Sequence, residues 1–305
     1  ALKQDIQAAI LEPHAFKKER RHEAKAHKKA AKERAAKDKA EKDKAKHSSA
    51  DATEASQADK RVFVLDFVGD LQASRVKDLA TEITAVLTHP QPSDEVMVRV
   101  ESQGGLVHGY GLAASQLVRI KRHGVPLVVA VDKVAASGGY LMAAVADKVL
   151  AAPFAVMGSI GVVAQIPNFH RLLKKHDVDV EVLTAGKYKR TLTVLGENTE
   201  EGREKFVAEL EDVHALFQEF VGTHRPQVDM DQVATGETWY GQRAIDLQLV
   251  DEIVTSDEYL TKACAEADVY RVRWVEHKKP IERLMAKAEA GVERWFGRGV
   301  SLGER

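Results

Sequence analysis

Leu127-Val-Val-Ala-Val-Asp-Lys-Val-Ala-Ala-Ser-Gly-Gly-Tyr140 is the stretch on which the fold turns. Its first five residues are apolar and mostly β-branched, which predicts a strand. A turn of small residues, Ala135-Ala136-Ser137-Gly138-Gly139, follows almost at once and leads into an apolar helix. The pattern recurs upstream. Arg61–Val68 and Glu95–Val100 read as strands, residues 74–88 have apolar spacing near 3.6, and a helix is expected from about Gly109 to Arg122. Downstream, short strands are expected at Lys148–Ala151, Gly161–Gln165 and Val180–Leu183, and a long amphipathic helix over Thr199–Thr223. Strands alternating with helices imply an α/β domain with a largely parallel sheet.

The surrounding chain sets the limits. Its 305 residues, 44% hydrophobic and 30% charged, suit a soluble globular core. The single cysteine, Cys264, excludes an intrachain disulfide and a multi-cysteine zinc site. The net charge of −1 is a cancellation: residues 17–46 hold 14 Lys/Arg against 6 Asp/Glu, and residues 47–305 hold the balancing acidic excess. That basic arm is rich in Lys, Ala and Glu, so it favours helix, yet it has no apolar stripe to dock on a core. It reads as a solvated helix or as a segment drawn to anionic lipid. No aromatic stacking platform follows it, which argues against nucleic acid. Three regions result: the arm and linker at 1–60, a globular domain at 61–275, and a C-terminal amphipathic helix and tail at 276–305. The longest apolar run, Val149–Met157, is too short to span a bilayer.

Three segments carry candidate chemistry. Ser137 leaves a strand and enters a helix, where its hydroxyl is either a nucleophile backed by free helix N–H groups or simply a helix N-cap. Glu101-Ser102-Gln103-Gly104-Gly105 is either a tight turn or a source of outward N–H groups for an oxyanion. Gly186-Lys187-Tyr188-Lys189-Arg190 is either a solvated basic surface or the site of a neutral, desolvated lysine base. Two patterns mislead. Gly109-Tyr-Gly111-Leu-Ala-Ala114, with Asp132 about 20 residues on, imitates a dinucleotide fingerprint, but its glycine loop is too long. His108 near the glycine loop leaves a Ser–His–Asp triad open as a weaker option.

In order and spacing, these segments resemble the signal peptide peptidase A family of Ser/Lys membrane peptidases, on its SohB branch. The landmarks are Val62–Phe67, Ser102–Gly105, Val107-His-Gly-Tyr-Gly-Leu-Ala-Ala-Ser115, Asp132–Tyr140, Val156-Met-Gly-Ser-Ile-Gly-Val-Val163, Ala185-Gly-Lys-Tyr-Lys-Arg-Thr191 and Trp239-Tyr-Gly-Gln-Arg-Ala244. The resemblance implies a ClpP/crotonase-like α/β fold and a serine endopeptidase. Ser137 would be the nucleophile, Lys189 rather than Lys187 the general base, the N–H groups of Gly105 and Gly138 the oxyanion hole, and Ser159 the group that orients the lysine. No metal or cofactor is implied. The expected substrates are membrane-associated peptides or remnant signal peptides. The family implies homo-oligomers with sites near subunit interfaces, and a membrane helix ahead of the arm. It also implies the bacterial inner membrane, with the catalytic domain on the periplasmic side, although a Lys-rich segment following a membrane helix favours the cytoplasm. Gln103 stands where the family's loop usually has proline, so a more mobile loop is expected. Two other functions remain open, a non-catalytic membrane scaffold and a crotonase-type acyl-CoA enzyme.

Overall fold

The computed structural model describes residues 60–275; the basic arm and the C-terminal helix expected at 280–296 lie outside them. Six strands form one sheet: β1 (Arg61–Val68), β2 (Glu95–Glu101), β3 (Leu127–Val131), β5 (Lys148–Ala151), β8 (Glu252–Ile253) and β9 (Asp268–Arg271), in the order β8-β5-β3-β2-β1-β9. Every pair in it is parallel. A second sheet, β4 (Val134–Ala136), β6 (Val156–Gly158) and β7 (Thr238–Tyr240), runs parallel between β4 and β6 and antiparallel between β6 and β7. The α/β class with a largely parallel sheet is therefore as the sequence predicts.

The near-continuous apolar character of β1 to β3 is explained by burial on both faces. Phe63, Leu65, Phe67, Val98, Val100 and Val129 face a core shared with α1 (Val76–Val86), α2 (Val107–Arg122) and α3 (Gly138–Ala143). The alternate residues Val62, Val64, Met97, Val128 and Ala130 face a smaller core closed by α8 (Ser256–Ala263) through Tyr259, Leu260 and Ala263. Between these, α4 (His170–Lys175), α5 (Glu200–His224), α6 (Met230–Val233) and α7 (Gly241–Ala244) complete the helices. The long helix starts one residue later than the expected Thr199, which is its N-cap instead: Thr199 Oγ accepts the Gly202 N–H.

Two expectations need correcting. Gly161–Gln165 and Val180–Leu183 pair with no strand among the described residues. Their apolar side chains are not inside: Val163 is 90% and Leu183 88% exposed. β-propensity marks a residue that fits a half-buried pleated surface, and here the chain supplies no such surface. The strands β6 to β9 were not evident because they are two to four residues long and are set by tertiary pairing.

Candidate active site

The two glycine segments meet at the carboxyl ends of β2 and β4, where parallel sheets open their ligand crevices. An isolated parallel bridge, Ser102 with Ala135, joins the large sheet to the small one. Its hydrogen bonds run from Ser102 N–H to Val134 C=O at 2.8 Å and from Ala136 N–H to Ser102 C=O at 3.0 Å. The glycine loop is thus fastened beside the turn that carries Ser137.

Ser137 occupies the N-cap position of α3, yet its side chain makes no capping hydrogen bond. The bland reading of this serine as a helix cap is not what the geometry shows. Its backbone sits at φ 51° and ψ −121°, a conformation that costs a non-glycine residue about 1–3 kcal/mol and persists only when its surroundings over-determine it. They do so here. Ser137 N–H donates to Gly158 C=O at 2.8 Å, and its C=O accepts from Leu141 N–H at 2.9 Å. Behind it, a Cβ on Gly138 would lie 2.3 Å from the Tyr110 ring, and one on Gly139 would lie 2.6 Å from Ser102 C=O. Only glycine fits at either position.

The N–H groups divide sharply. Gly104 N–H is used, donating to Ser102 Oγ at 3.0 Å. Gly105 N–H and Gly138 N–H have no partner among the described residues. Gly104 touches the serine turn directly: at φ +88°, a Cβ there would fall 2.8 Å from Ser137 Cβ and 2.7 Å from Gly138 N. Ser159 follows β6 as Ser137 follows β4, one step past the Ala136–Gly158 register pair, and it too has positive φ, 54°. Its N–H donates to Glu237 C=O at 2.6 Å. The structure therefore gathers Ser137, Gly138, Gly105 and Ser159 at one place.

Lys189 is elsewhere. It lies exposed in the irregular segment between α4 and α5, its N–H bonded to Gly186 C=O at 3.1 Å, and its ammonium group has no partner among the described residues. One chain does not bring it to Ser137 by any hydrogen bond. Lys187 is committed: its Nζ is 2.6 Å from Glu201 and 5.0 Å from the centre of the Tyr188 ring. The Glu201 carboxylate, with Tyr188 assisting, raises its pKa above the ordinary lysine range. A lysine so held favours its protonated form.

Both misleading patterns resolve physically. Asp132 accepts from Ser256 N–H at 2.8 Å and Ser256 Oγ–H at 2.5 Å, fixing the start of α8 rather than a ribose. Gly109 permits close packing, since a Cβ there would meet Gln72 C=O at 2.8 Å. His108 is exposed and unbonded among the described residues. Sequence reasoning missed Tyr110, which is fully buried beneath the glycine loop. Its position between two glycines is the one signal that could have found it, because glycines flanking an aromatic mark tight packing as readily as a phosphate loop.

The model for peptidase family S49 matches residues 119–270, and that for the family's N-terminal region matches 1–117. A probable protease SohB of Haemophilus influenzae is 60% identical over 228 residues, 75% of this chain and 65% of that protein. Another, from Buchnera aphidicola of Acyrthosiphon pisum, is 52% identical over 227 residues, 74% of this chain and 68% of that protein. The chain spans about two thirds of the length of these relatives. Among solved structures, the membrane-bound stomatin-specific protease 1510-N is 12% identical, with a TM-score of 0.45 over 72% of this chain and all of that one. With a strained serine on a glycine-lined turn, and family models that together span nearly its first 270 residues, the chain belongs to peptidase family S49.

Proposed function

We propose that this chain is a serine endopeptidase whose nucleophile is Ser137 and whose general base is Lys189. The observation that carries the reading is the turn itself: an uncapped serine hydroxyl at positive φ, flanked by two N–H groups, Gly105 and Gly138, with no partner among the described residues. Neutral Lys189 Nζ takes the Ser137 Oγ proton as Oγ adds to the peptide carbonyl carbon. The carbonyl oxygen becomes an oxyanion held by the Gly105 and Gly138 N–H groups, each worth about 10²–10³ in rate in comparable sites. The Lys189 ammonium returns the proton to the leaving amine as the C–N bond breaks. Water, deprotonated in turn by the lysine, then releases the acyl group and restores Ser137. Ser159, one residue past the neighbouring strand β6, would orient the lysine once Lys189 is brought to the site.

In this reading the site is completed on assembly. Lys189 lies on an exposed segment with the apolar side chains Val163, Phe169, Leu172 and Leu183 outside the core. Packing of this segment against another copy would bury those side chains and desolvate the lysine, the condition under which it loses its proton. Leu71, Leu106 and Val107 are exposed around the glycine loop and suit an apolar peptide, such as a remnant signal peptide. The Lys-rich arm and the bacterial relatives support a place at the bacterial inner membrane; the family resemblance puts the catalytic domain on its periplasmic side, against the cytoplasmic preference of the arm.

The test is fluorophosphonate labelling with peptide hydrolysis on the assembled wild type, Ser137→Ala, Lys189→Ala and Lys187→Ala. The expectation is that Ser137→Ala and Lys189→Ala are inactive and Lys187→Ala keeps its rate. An assembled wild type that neither labels nor cleaves would overturn the reading in favour of a non-catalytic scaffold.

A further inference from the structure

The oxyanion hole assigned above needs its two donors held still, and one buried side chain touches the support of both. Tyr110 Oη donates to Asp70 C=O at 2.8 Å and lies 2.5 Å from Ser102 Oγ. Ser102 Oγ in turn lies 3.0 Å from Gly104 N. The directions are forced by the ends of the chain, since a backbone N–H only donates and a C=O only accepts. The relay therefore runs Gly104 N–H to Ser102 O–H to Tyr110 O–H to Asp70 C=O. Each hydroxyl accepts one hydrogen bond and donates one, so the bonds polarise one another in the partly buried ground beneath the loop.

We propose that Tyr110 and Ser102 are positioning residues of the oxyanion hole, the relay fixing the Gly105 N–H and the Tyr110 ring fixing the Gly138 N–H. The Gly104–Gly105 peptide plane turns about ψ of Gly104 and φ of Gly105. It is pinned on one side by the Ser102 bond to Gly104 N–H and on the other by Leu106 N–H to Leu71 C=O at 2.8 Å. The Gly105 N–H lies between those pins. The ring acts on the second donor: it packs so closely beneath Gly138 that a Cβ there would meet its Cγ at 2.3 Å. Gly69 leaves room for the pair, because a Cβ on it would strike Tyr110 Oη at 2.3 Å and Ser102 Oγ at 2.5 Å. Burial raises the phenol pKa above its ordinary range, which keeps the relay's protons in place through neutral pH. Where the family's loop is stiffened by proline, this chain has Gln103, and the relay supplies a tether that does not depend on that position.

This inference rests on the Ser137 reading, and the experiment separates the two. Tyr110→Phe and Ser102→Ala are prepared in the full assembled chain and compared with wild type for kcat, KM, fluorophosphonate labelling rate and the Ki of a peptide aldehyde. The aldehyde forms a tetrahedral adduct when Ser137 Oγ bonds its carbonyl carbon, and that adduct needs the hole whereas ground-state substrate does not. Loosening the donors should lower kcat and labelling by roughly 10- to 100-fold. The aldehyde Ki should rise by a matching factor, and KM should stay within about threefold, since uniform binding is untouched. A purely structural role would lower the melting temperature and leave kcat per labelled site at the wild-type value, and that result overturns the inference. If Ser102→Ala does not fold, Tyr110→Phe, which keeps the ring and loses only the hydroxyl, decides alone. A wild type that is not labelled at Ser137 removes the underlying reading and the inference with it. A labelled wild type matched by Tyr110→Phe removes the inference only.

Discussion

A single methyl group at position 104 should disable the serine turn. Gly104 has φ +88°, and a Cβ there would lie 2.7 Å from Gly138 N, 2.8 Å from Ser137 Cβ and 2.9 Å from Ala136 O. Normal contacts for such pairs are about 3.5–4.0 Å, so the methyl overlaps all three by more than half an ångström. None of the three is the end of a flexible side chain, so the glycine loop must retreat from the turn. The left-handed backbone adds about 1–2 kcal/mol for a residue with a Cβ. With the clash partly relieved by that retreat, Gly104→Ala should cost roughly 2–3 kcal/mol, which in a domain of this size lowers Tm by about 5–10 °C. Catalysis should suffer more than stability. A retreat approaching 1 Å moves the Gly105 N–H off the oxyanion, and misplacement on that scale costs about 10² in rate. Gly111→Ala is the control, because a Cβ there meets nothing within 4 Å and it lies on the neighbouring α2. That variant should match or slightly exceed wild-type stability and label normally. The measurements are fluorophosphonate labelling rates and thermal melts of the assembled proteins. Gly104→Ala labelling at the wild-type rate with an unchanged Tm would refute the packing argument.

Two further perturbations probe the frame and its pH response. Arg225, 1% exposed, bridges both Asp251 oxygens at 2.6 and 3.0 Å and the Gln248 C=O at 2.7 Å, while Asp251 also accepts Val149 N–H at 2.6 Å. Arg225→Met strands a carboxylate that is partly exposed, so the low end of the ~3–5 kcal/mol range for broken buried pairs applies, seen as a Tm drop of about 6–12 °C; a drop under about 2 °C would show that the pair does not hold α5 to β5. His224 has its pKa lowered, first by burial and then by the charge of Lys121. The folded state thus binds fewer protons than the unfolded chain below about pH 6.5, and stability should fall as pH drops through that value and level off below the folded pKa. His224→Gln should flatten the decline in Tm between pH 7 and 5 relative to wild type, and an unchanged slope would discount the effect.

The fold was legible where local pattern and tertiary role coincide. β1, β2 and β3 are largely apolar because both faces are covered, and α5 is long enough for its period to stand out. Legibility ended where local pattern lacks a partner. Val163 and Leu183 look like strand residues yet stand in solvent, while Glu252–Ile253, a true strand, is too short to register. At the site, the residues alone left Ser137 as nucleophile or helix cap and the loop glycines as turn or donors, and it was the family resemblance that named Ser137, Gly138, Gly105 and Ser159. The structure adds a physical reason for Gly105 over Gly104, because the Ser102 hydroxyl already takes the Gly104 N–H. The tether from Tyr110 to Asp70 spans 40 residues and leaves no periodic trace.

What unites these observations is an uneven distribution of rigidity. Ser137 and Ser159 hold strained backbone conformations side by side, and such strain lasts only where neighbours leave no alternative. The glycines at 104, 138 and 139 and the buried Tyr110 provide that enforcement, with close contacts in place of large side chains. Lys189 sits on a segment without strands, whose apolar residues have no core to enter. A nucleophile must be aimed before substrate arrives, so its half of the site is built into the sheet junction. A lysine base must be neutral to act, and a solvent-exposed ammonium is not. If Lys189 is that base, its place on an exposed apolar segment makes its activation depend on whatever covers that segment. On the proposed reading, proteolysis is thereby tied to assembly, and a chain kept apart from its partners carries a finished oxyanion hole beside a serine with no base.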